Sequence, residues 1–213
     1  MSCRIQNRAA LAVLLLFTAA GPARAQQVAD RIAARVENDI VLLSEVRELG
    51  AYQMLMNGKK ESDSRLLDRL IDQWIVRTEA DASHFPPPSD DDVERELEKT
   101  RSALGPPERF AARLRESGLQ DADLRRLVRG QLYLTNYLDS RFRPAVQISP
   151  QAIEDYYQKT VVPYAQAHGE TPPSLDAARD SIREALIQRG IDEQADRWLK
   201  ESRVRLHIEK RIE

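Results

Sequence analysis

The apolar positions Leu66, Leu67, Leu70, Ile71, Trp74 and Ile75 fall at i, i+1, i+4, i+5, i+8 and i+9, the rhythm of one face of an α-helix packed on a core. Pro86-Pro87-Pro88 stops that helix, because proline has no N–H to donate and its ring collides with the preceding turn. Upstream the period changes. Ile32 to Val36 and Ile40 to Leu43 are short apolar and β-branched runs separated by Glu37-Asn38-Asp39. This predicts a hairpin in which Asn or Asp takes the positive φ of a tight reversal. Ser44 is placed to cap a following helix that runs to about Met56 and stops at Asn57-Gly58.

Downstream, Ser89 followed by Asp90, Asp91 and Asp92 opens another helix, its acids at the positive end of the dipole. Its stripe of Val93, Leu97 and Leu104 is thin. Gly105-Pro106-Pro107 separates it from a short helix to about Ser117 whose large apolar residues are Phe110 and Leu114. This middle pair is expected to bury little and to be the more mobile part of the fold. Asp121 is placed to cap a long helix to about Arg143, whose apolar face widens from Leu132 through Tyr133, Leu134, Tyr137 and Leu138, as in a helix contacted on more than one side. Ser149-Pro150 opens a helix to about Lys159, and the proline-rich stretch from Val161 to Pro173 reads as a linker.

Ser174 caps the last helix. Its Ile182, Leu186, Ile187, Ile191, Ala195, Trp198 and Leu199 face inward, with Gly190 as a bend. Val204-Arg-Leu-His-Ile208 alternates as a half-buried strand does. A two-stranded hairpin is marginal alone in water, so Val204 to Ile208 is expected to join it as a third strand. The predicted fold class is mainly α: a helical domain over residues 26–160 with a small N-terminal β-hairpin, completed by the helix and strand of residues 174–213. Trp74 and Trp198 are expected in the core, near one another.

Composition narrows the function classes. Arg4 and Arg8 precede an apolar run from Ala9 to Ala20, and Ala23-Arg24-Ala25 supplies small residues around a cleavage point, the pattern of a secretory signal peptide over residues 1–25. A periplasmic product beginning near Gln26 is expected. Without Arg4, Arg8 and Arg24 the 32 basic residues fall to 29 against 34 acidic ones, a formal charge of −5. That balance, with Arg and Glu interspersed, offers no basic face for nucleic acid. The apolar run is shorter than the roughly 20 residues a spanning helix needs, and no later segment approaches it. Cys3, the single cysteine, precedes the apolar run instead of following it, which argues against a lipid anchor.

A cysteine-free mature chain excludes thiol catalysis and thiolate metal ligation. Asp90-Asp91-Asp92 lacks the alternation and glycine of a calcium loop. No Gly-rich phosphate loop, His-Glu-x-x-His pair or Gly-x-Ser-x-Gly elbow occurs. His84, His168 and His207 are scattered, and Arg125, Arg126 and Arg129 read as a solvated helix face. Neither an enzyme nor a cofactor or metal is expected. Binding is the remaining class, and Tyr52, Met54, Leu55 and Met56 crowd the end of the first helix, where they cannot all share one face. Met and Tyr suit adaptable apolar contacts. Together with Phe110, Leu114, Tyr133 and Tyr137 they are candidates for a peptide groove, with ordinary packing as the other reading.

The block Val28-Ala-Asp-Arg-Ile-Ala-Ala-Arg-Val-Glu-Asn-Asp-Ile-Val-Leu-Leu-Ser-Glu-Val46 resembles the start of the mature chain in the SurA family of periplasmic chaperones. The similarity continues through the Leu66 to Val76 helix, the Leu124 to Arg143 helix and the Val146-Gln-Ile-Ser-Pro150 turn. It resumes at Ala195-Asp-Arg-Trp-Leu-Lys-Glu-Ser-Arg-Val-Arg-Leu-His-Ile208, which looks like the family's final helix and terminal strand. In that family one or two parvulin-type prolyl isomerase domains lie before the final helix, whereas here the interval is only Val161 to Pro173. The resemblance therefore implies an ATP-independent chaperone domain for unfolded outer-membrane proteins, without isomerase activity and with the outer-membrane assembly machinery as a further partner. The alternative is an envelope scaffold that binds one folded partner.

Overall fold

The computed structural model describes residues 30–212, so the expected signal peptide and its cleavage point lie outside the described residues. β1 (Ile32–Val36) and β2 (Asp39–Leu42) form the hairpin, with Val36 opposite Asp39 and an extra residue at Ala33. The turn differs from expectation: Glu37, not Asn38 or Asp39, takes the positive φ, at 53°. Such a conformation costs a non-glycine residue on the order of 1 kcal/mol. The other end of the chain holds it. Glu37 N–H donates to the His207 carbonyl at 2.9 Å, and the Glu37 carboxylate accepts the His207 N–H at 2.6 Å.

β3 (Ile208–Lys210) pairs antiparallel with β1, giving the sheet order β2-β1-β3. The predicted closure by the C-terminus is present, but the strand begins at Ile208, not Val204. The final helix continues through Arg205, and Val204 lies on its outer face, 87% exposed. Five alternating residues are too few to separate a strand from a helix end whose next apolar residues, Leu206 and Ile208, both turn inward.

α1 (Leu43–Asn57) and α2 (Asp63–Ala82) cover the sheet. Leu42, not Ser44, is the cap residue of α1, its N–H donating to the Glu45 carboxylate at 2.7 Å. Ser44 instead donates its hydroxyl and its N–H to Asp30, tying the start of β1 to the helix. That hydroxyl bond, against a desolvation penalty and with help from the Arg31 and Ser44 N–H groups, holds the Asp30 carboxyl below its ordinary range. Gly58, at φ 70°, ends α1 as its sequence predicts. The inward face of α2 is the one its periodicity marks: Leu66, Leu67, Ile71 and Ile75 are buried with Val36 and Val46, and Trp74 packs at the margin.

α3 (Asp90–Leu104) starts in the expected manner, with Ser89 Oγ accepting from Asp92 N–H and the Asp92 carboxylate accepting from Ser89 N–H. α4 (Pro107–Ser117) and α5 (Asp121–Phe142) follow, with Gln120 as the cap residue of α5 in place of Asp121. The expectation that this pair buries little fits α4, whose one buried residue is Phe110, and not α3, which buries Val93, Leu97, Thr100 and Leu104. Val93, Leu97, Leu104 and Phe110 join Leu55, Leu119, Leu124 and Val128 in a second core. Each helix contributes few apolar residues, yet three thin stripes meet around one centre.

The helix opened by Pro150 also runs further than predicted. α6 (Pro150–Tyr156) widens into a π turn over Tyr157–Val161 and continues as α7 (Val162–Ala167), so only His168–Ser174 is irregular where a linker was expected from Val161. Pro163 explains the π turn: it has no N–H for the carbonyl one turn back, and the wider turn accommodates its ring. Val162 N–H donates instead to Tyr157 O. α8 (Leu175–Arg205) packs its first half on this segment through Ala178 and Ile182. Its second half returns to the sheet, where Trp198 and Leu199 join both the first core and a third one built on Val76, Leu134 and Tyr137. The aromatic neighbour of Trp198 is Phe142, at 6.0 Å between ring centres.

The return of α8 is fixed by Arg203. Its Nε reaches Asp72 at 2.7 Å, Nη1 reaches Asp68 at 3.0 Å and Nη2 reaches the Asp68 carbonyl at 2.6 Å, while Lys210 Nζ meets Asp68 at 2.7 Å. Burial alone would raise the Asp68 pKa, but the bonds from Lys210 and Arg203 outweigh it and hold the carboxyl below 3.8. A carboxylate depressed in the folded state stabilises fully above its ordinary pKa and loses that contribution as pH falls below it. Arg203→Met is therefore expected to lower the unfolding free energy by about 2 kcal/mol at neutral pH. In urea titrations the gap from wild type should narrow below pH 3.8.

Candidate functional site

The eight candidate groove residues do not form one surface. Leu55 and Phe110 are buried in the second core, with Tyr52, Met56 and Leu114 packed against them. Tyr137 is buried in the third core, where Tyr133 and Phe85 lean on it. Met54 alone points outward, 38% exposed. Ordinary packing accounts for most of the crowding at the end of α1: Leu55 and Met56 meet α4, and Met54 is the side chain left over.

A groove does cross the outside of the fold, and of the eight only Tyr133 lines it, with Tyr52 in the hollow beside it. Arg77 and Asp81 of α2 form one wall, Arg126, Arg129 and Tyr133 of α5 the other, and Phe85, Pro87 and Pro88 close one end. This hollow measures 440 Å³, within the range of ligand sites. A second hollow of 190 Å³ adjoins it and reaches Glu45, Glu48 and Tyr52 of α1. Arg77, Arg126 and Gly130 border both.

The lining is preset. Tyr133 donates its hydroxyl to Asp81 at 2.7 Å. Burial first, then the Asp81 carboxylate, pushes its pKa up to about 12, so the phenol stays neutral and the ring stays put. Phe85 stands 5.9 Å from the Tyr133 ring and 5.5 Å, edge-on, from Tyr137. Its position follows from the end of α2, where His84 turns at φ 55° and Phe85 N–H donates to the Ala80 carbonyl at 2.9 Å. The arginines expected on a solvated face are each paired: Arg125 with Glu94, Arg126 with Glu48 and Asp123, Arg129 with Asp90 at 2.5 Å. Arg129 also donates to Pro88 O at 3.4 Å, which ties the proline run to α5.

Gly130 forms the floor. Three glycines lie inside helices near packed neighbours, and their surroundings differ. A Cβ at Gly190 would stand 2.7 Å from Val146 Cγ1, and one at Gly50 would stand 3.1 Å from Leu66 Cδ1. Gly190 is thus required for the close approach of Val146, and at Gly50 the Leu66 side chain would have to give by a few tenths of an ångström. A Cβ at Gly130 would meet nothing nearer than Arg77 Nη2 at 3.8 Å, an ordinary contact. The fold does not need a glycine there, although a glycine within a helix costs about 1 kcal/mol relative to alanine. What its missing side chain does is keep the groove open.

The groove thus offers aromatic and proline surface rimmed by guanidinium donors, an arrangement suited to holding an extended chain. Among the described residues no group of three or more His, Cys, Asp or Glu is placed to hold a metal, and no helix is long and apolar enough to cross a membrane. His84 turns the chain just past α2, His168 stacks on Tyr164 and His207 lends its backbone to the sheet. Arg77, Phe85 and Gly130 are not marked by the sequence patterns used above, and Pro87 and Pro88 are marked only as a helix stop. The available signal was Gly130 itself, an isolated glycine inside the helical run from Leu124 to Leu138.

The sequence matches no protein-family model and has no significant match among curated proteins.

The contrast between the two glycines gives a direct expectation. Gly130→Ala should raise the unfolding free energy by up to about 1 kcal/mol. Gly190→Ala should lower it by about 1 to 2 kcal/mol, because overpacking on Val146 exceeds the gain in helix propensity. Thermal denaturation of both variants beside wild type checks this, and shifts of the same sign would contradict it.

Proposed function

We propose that this chain is a periplasmic, ATP-independent holdase that binds unfolded outer-membrane proteins through the groove between α2 and α5. Gly130 carries the reading: a destabilising residue that packing does not require keeps open a groove lined by Phe85, Pro87, Pro88 and Tyr133. Sites kept at a cost in stability are where function is sought. The resemblance of the opening block and the closing helix to the SurA family supports the same reading. So does the closure of the hairpin by β3, which completes the helical domain from its two ends. The connection from His168 to Ser174 holds no further domain, and the proposal includes no prolyl isomerase step.

Holding requires no chemistry. An unfolded client bound in the groove is withdrawn from the pool that aggregates, in proportion to concentration over Kd. A shallow site of this size binds a short segment weakly, because lost freedom of the chain offsets most of the buried area. Weak, exchanging contacts spread over several segments suit release without an energy source.

The test is to dilute a denatured outer-membrane β-barrel into buffer and follow light scattering. A several-fold excess of the protein should suppress aggregation. Gly130→Leu, which fills the groove floor while retaining the wild-type circular dichroism spectrum, should lose most of that suppression. Scattering unchanged by wild-type protein would contradict the proposal.

A further inference from the structure

We infer that the groove reads the backbone of an extended client segment through Arg77 and Asp81, and takes acidic, neutral and basic segments alike, an inference that rests on the proposed binding role of this site. Both residues stand on one wall, four positions apart on α2, which is about 6 Å along the helix axis. Arg77 makes no ion pair and no hydrogen bond among the described residues, and its Nη2 lies 3.8 Å from where a Cβ on Gly130 would stand. Asp81 accepts the Tyr133 hydroxyl through Oδ1 at 2.7 Å. A neutral phenol leaves the carboxylate charge uncancelled, and the second oxygen has no donor among the described residues. Beyond burial and the bond to Asp81, the Tyr133 phenol feels the two charges in opposite senses, Asp81 raising its pKa and Arg77 lowering it. Arg126 and Arg129, on the other wall, are each paired with a carboxylate. One unpaired cation and one unpaired anion thus border the same hollow.

A charged side chain gains little at such a pair, because a carboxylate drawn to Arg77 is repelled by Asp81 and an ammonium drawn to Asp81 is repelled by Arg77. The group that satisfies both at once is neutral and carries a donor and an acceptor together. Every non-proline residue supplies that combination on its main chain. In an extended segment the N–H and C=O of one residue point to the same edge, and the pattern returns every second residue, about 7 Å further on. That repeat is close to the spacing of the two side chains, so the guanidinium donates to a client carbonyl while the carboxylate accepts a client N–H. Each bond has one charged partner and is of the stronger kind. A helical segment offers no such edge, since its N–H and C=O groups are already bonded to each other. Phe85, Pro87 and the Tyr133 ring then receive one apolar side chain of the segment. The occupant is therefore unfolded, extended polypeptide, and one small groove can serve clients that differ in sequence.

The experiment measures fluorescence anisotropy of short labelled Gly/Ser peptides with one central Phe. One set places Asp, Asn or Lys beside the Phe. A further peptide replaces the backbone N–H groups on both sides of the Phe by ester oxygens, which keep the shape of the chain and remove its donors. The Asp, Asn and Lys peptides should bind within about threefold of one another, and the ester peptide about tenfold more weakly than its amide parent. Gly130→Leu should weaken them all. In the double variant Arg77→Ala, Asp81→Ala, at two exposed positions, the ester penalty should vanish. Arg77→Ala alone should favour the Lys peptide and Asp81→Ala alone the Asp peptide, since each leaves one charge unopposed. Equal binding of ester and amide peptides, an ester penalty that survives in the double variant, or a preference of about tenfold by the wild type for either charge would overturn the inference. Suppression of barrel aggregation without an ester penalty would remove this inference and leave the holdase proposal standing. An ester penalty without suppression would do the reverse.

Discussion

Arg203 and the strand that follows it hold the fold together, because they are where the end of the chain is joined to its beginning. One guanidinium bridges Asp68, Asp72 and a backbone carbonyl of α2. A few residues on, β3 covers the open edge of β1, and His207 secures Glu37 in a backbone conformation that glutamate avoids. None of these is strong alone, since charged bonds at a partly exposed site contribute about 2 kcal/mol each at most. They act on the same element. With α8 in place, Trp198 and Leu199 seal the first and third cores at once.

The groove is a by-product of that architecture which one residue keeps usable. α2 and α5 both pack on the third core, and a side chain on α5 at position 130 would project toward Arg77. Gly130 removes it. The surrounding groups are already satisfied by each other: Tyr133 by Asp81, Arg129 by Asp90 and Pro88, Arg126 by Glu48. A site whose walls are ordered before binding loses less entropy when a chain enters, which makes weak binding to many segments feasible on a small surface.

Much of this fold is legible in the sequence, and its gaps have physical causes. The α2 face, the Ser89 and Ser174 caps, the Gly58 stop and the pairing of the C-terminus with the hairpin all follow from local pattern, because each is decided within a few residues or by one unsatisfied edge. Errors arise where distant residues decide. Ser44 is an acceptable cap by itself, yet Asp30 captures it; Asn38 is the better turn former, yet His207 stabilises Glu37. The stripes of α3 and α4 are thin one at a time and sufficient together. The candidate site was the least legible part, since crowded apolar residues at the end of α1 mark a core as readily as a groove. A groove is defined by a missing side chain, and only the packing around Gly50, Gly130 and Gly190 separates a glycine that the fold requires from one that it does not.

The central claim is that closure by α8 and β3 is part of the global fold and not an ornament upon it. Native-state hydrogen exchange of the Glu37 amide, which donates to His207 across that closure, tests it most directly. If closure and core are one cooperative unit, Glu37 exchanges with the same free energy as the buried amides of α2 around Leu67 and Ile71, and Arg203→Met lowers all of them together. Fast exchange at Glu37 with α2 still fully protected would show that the C-terminal strand opens independently, and would contradict the account.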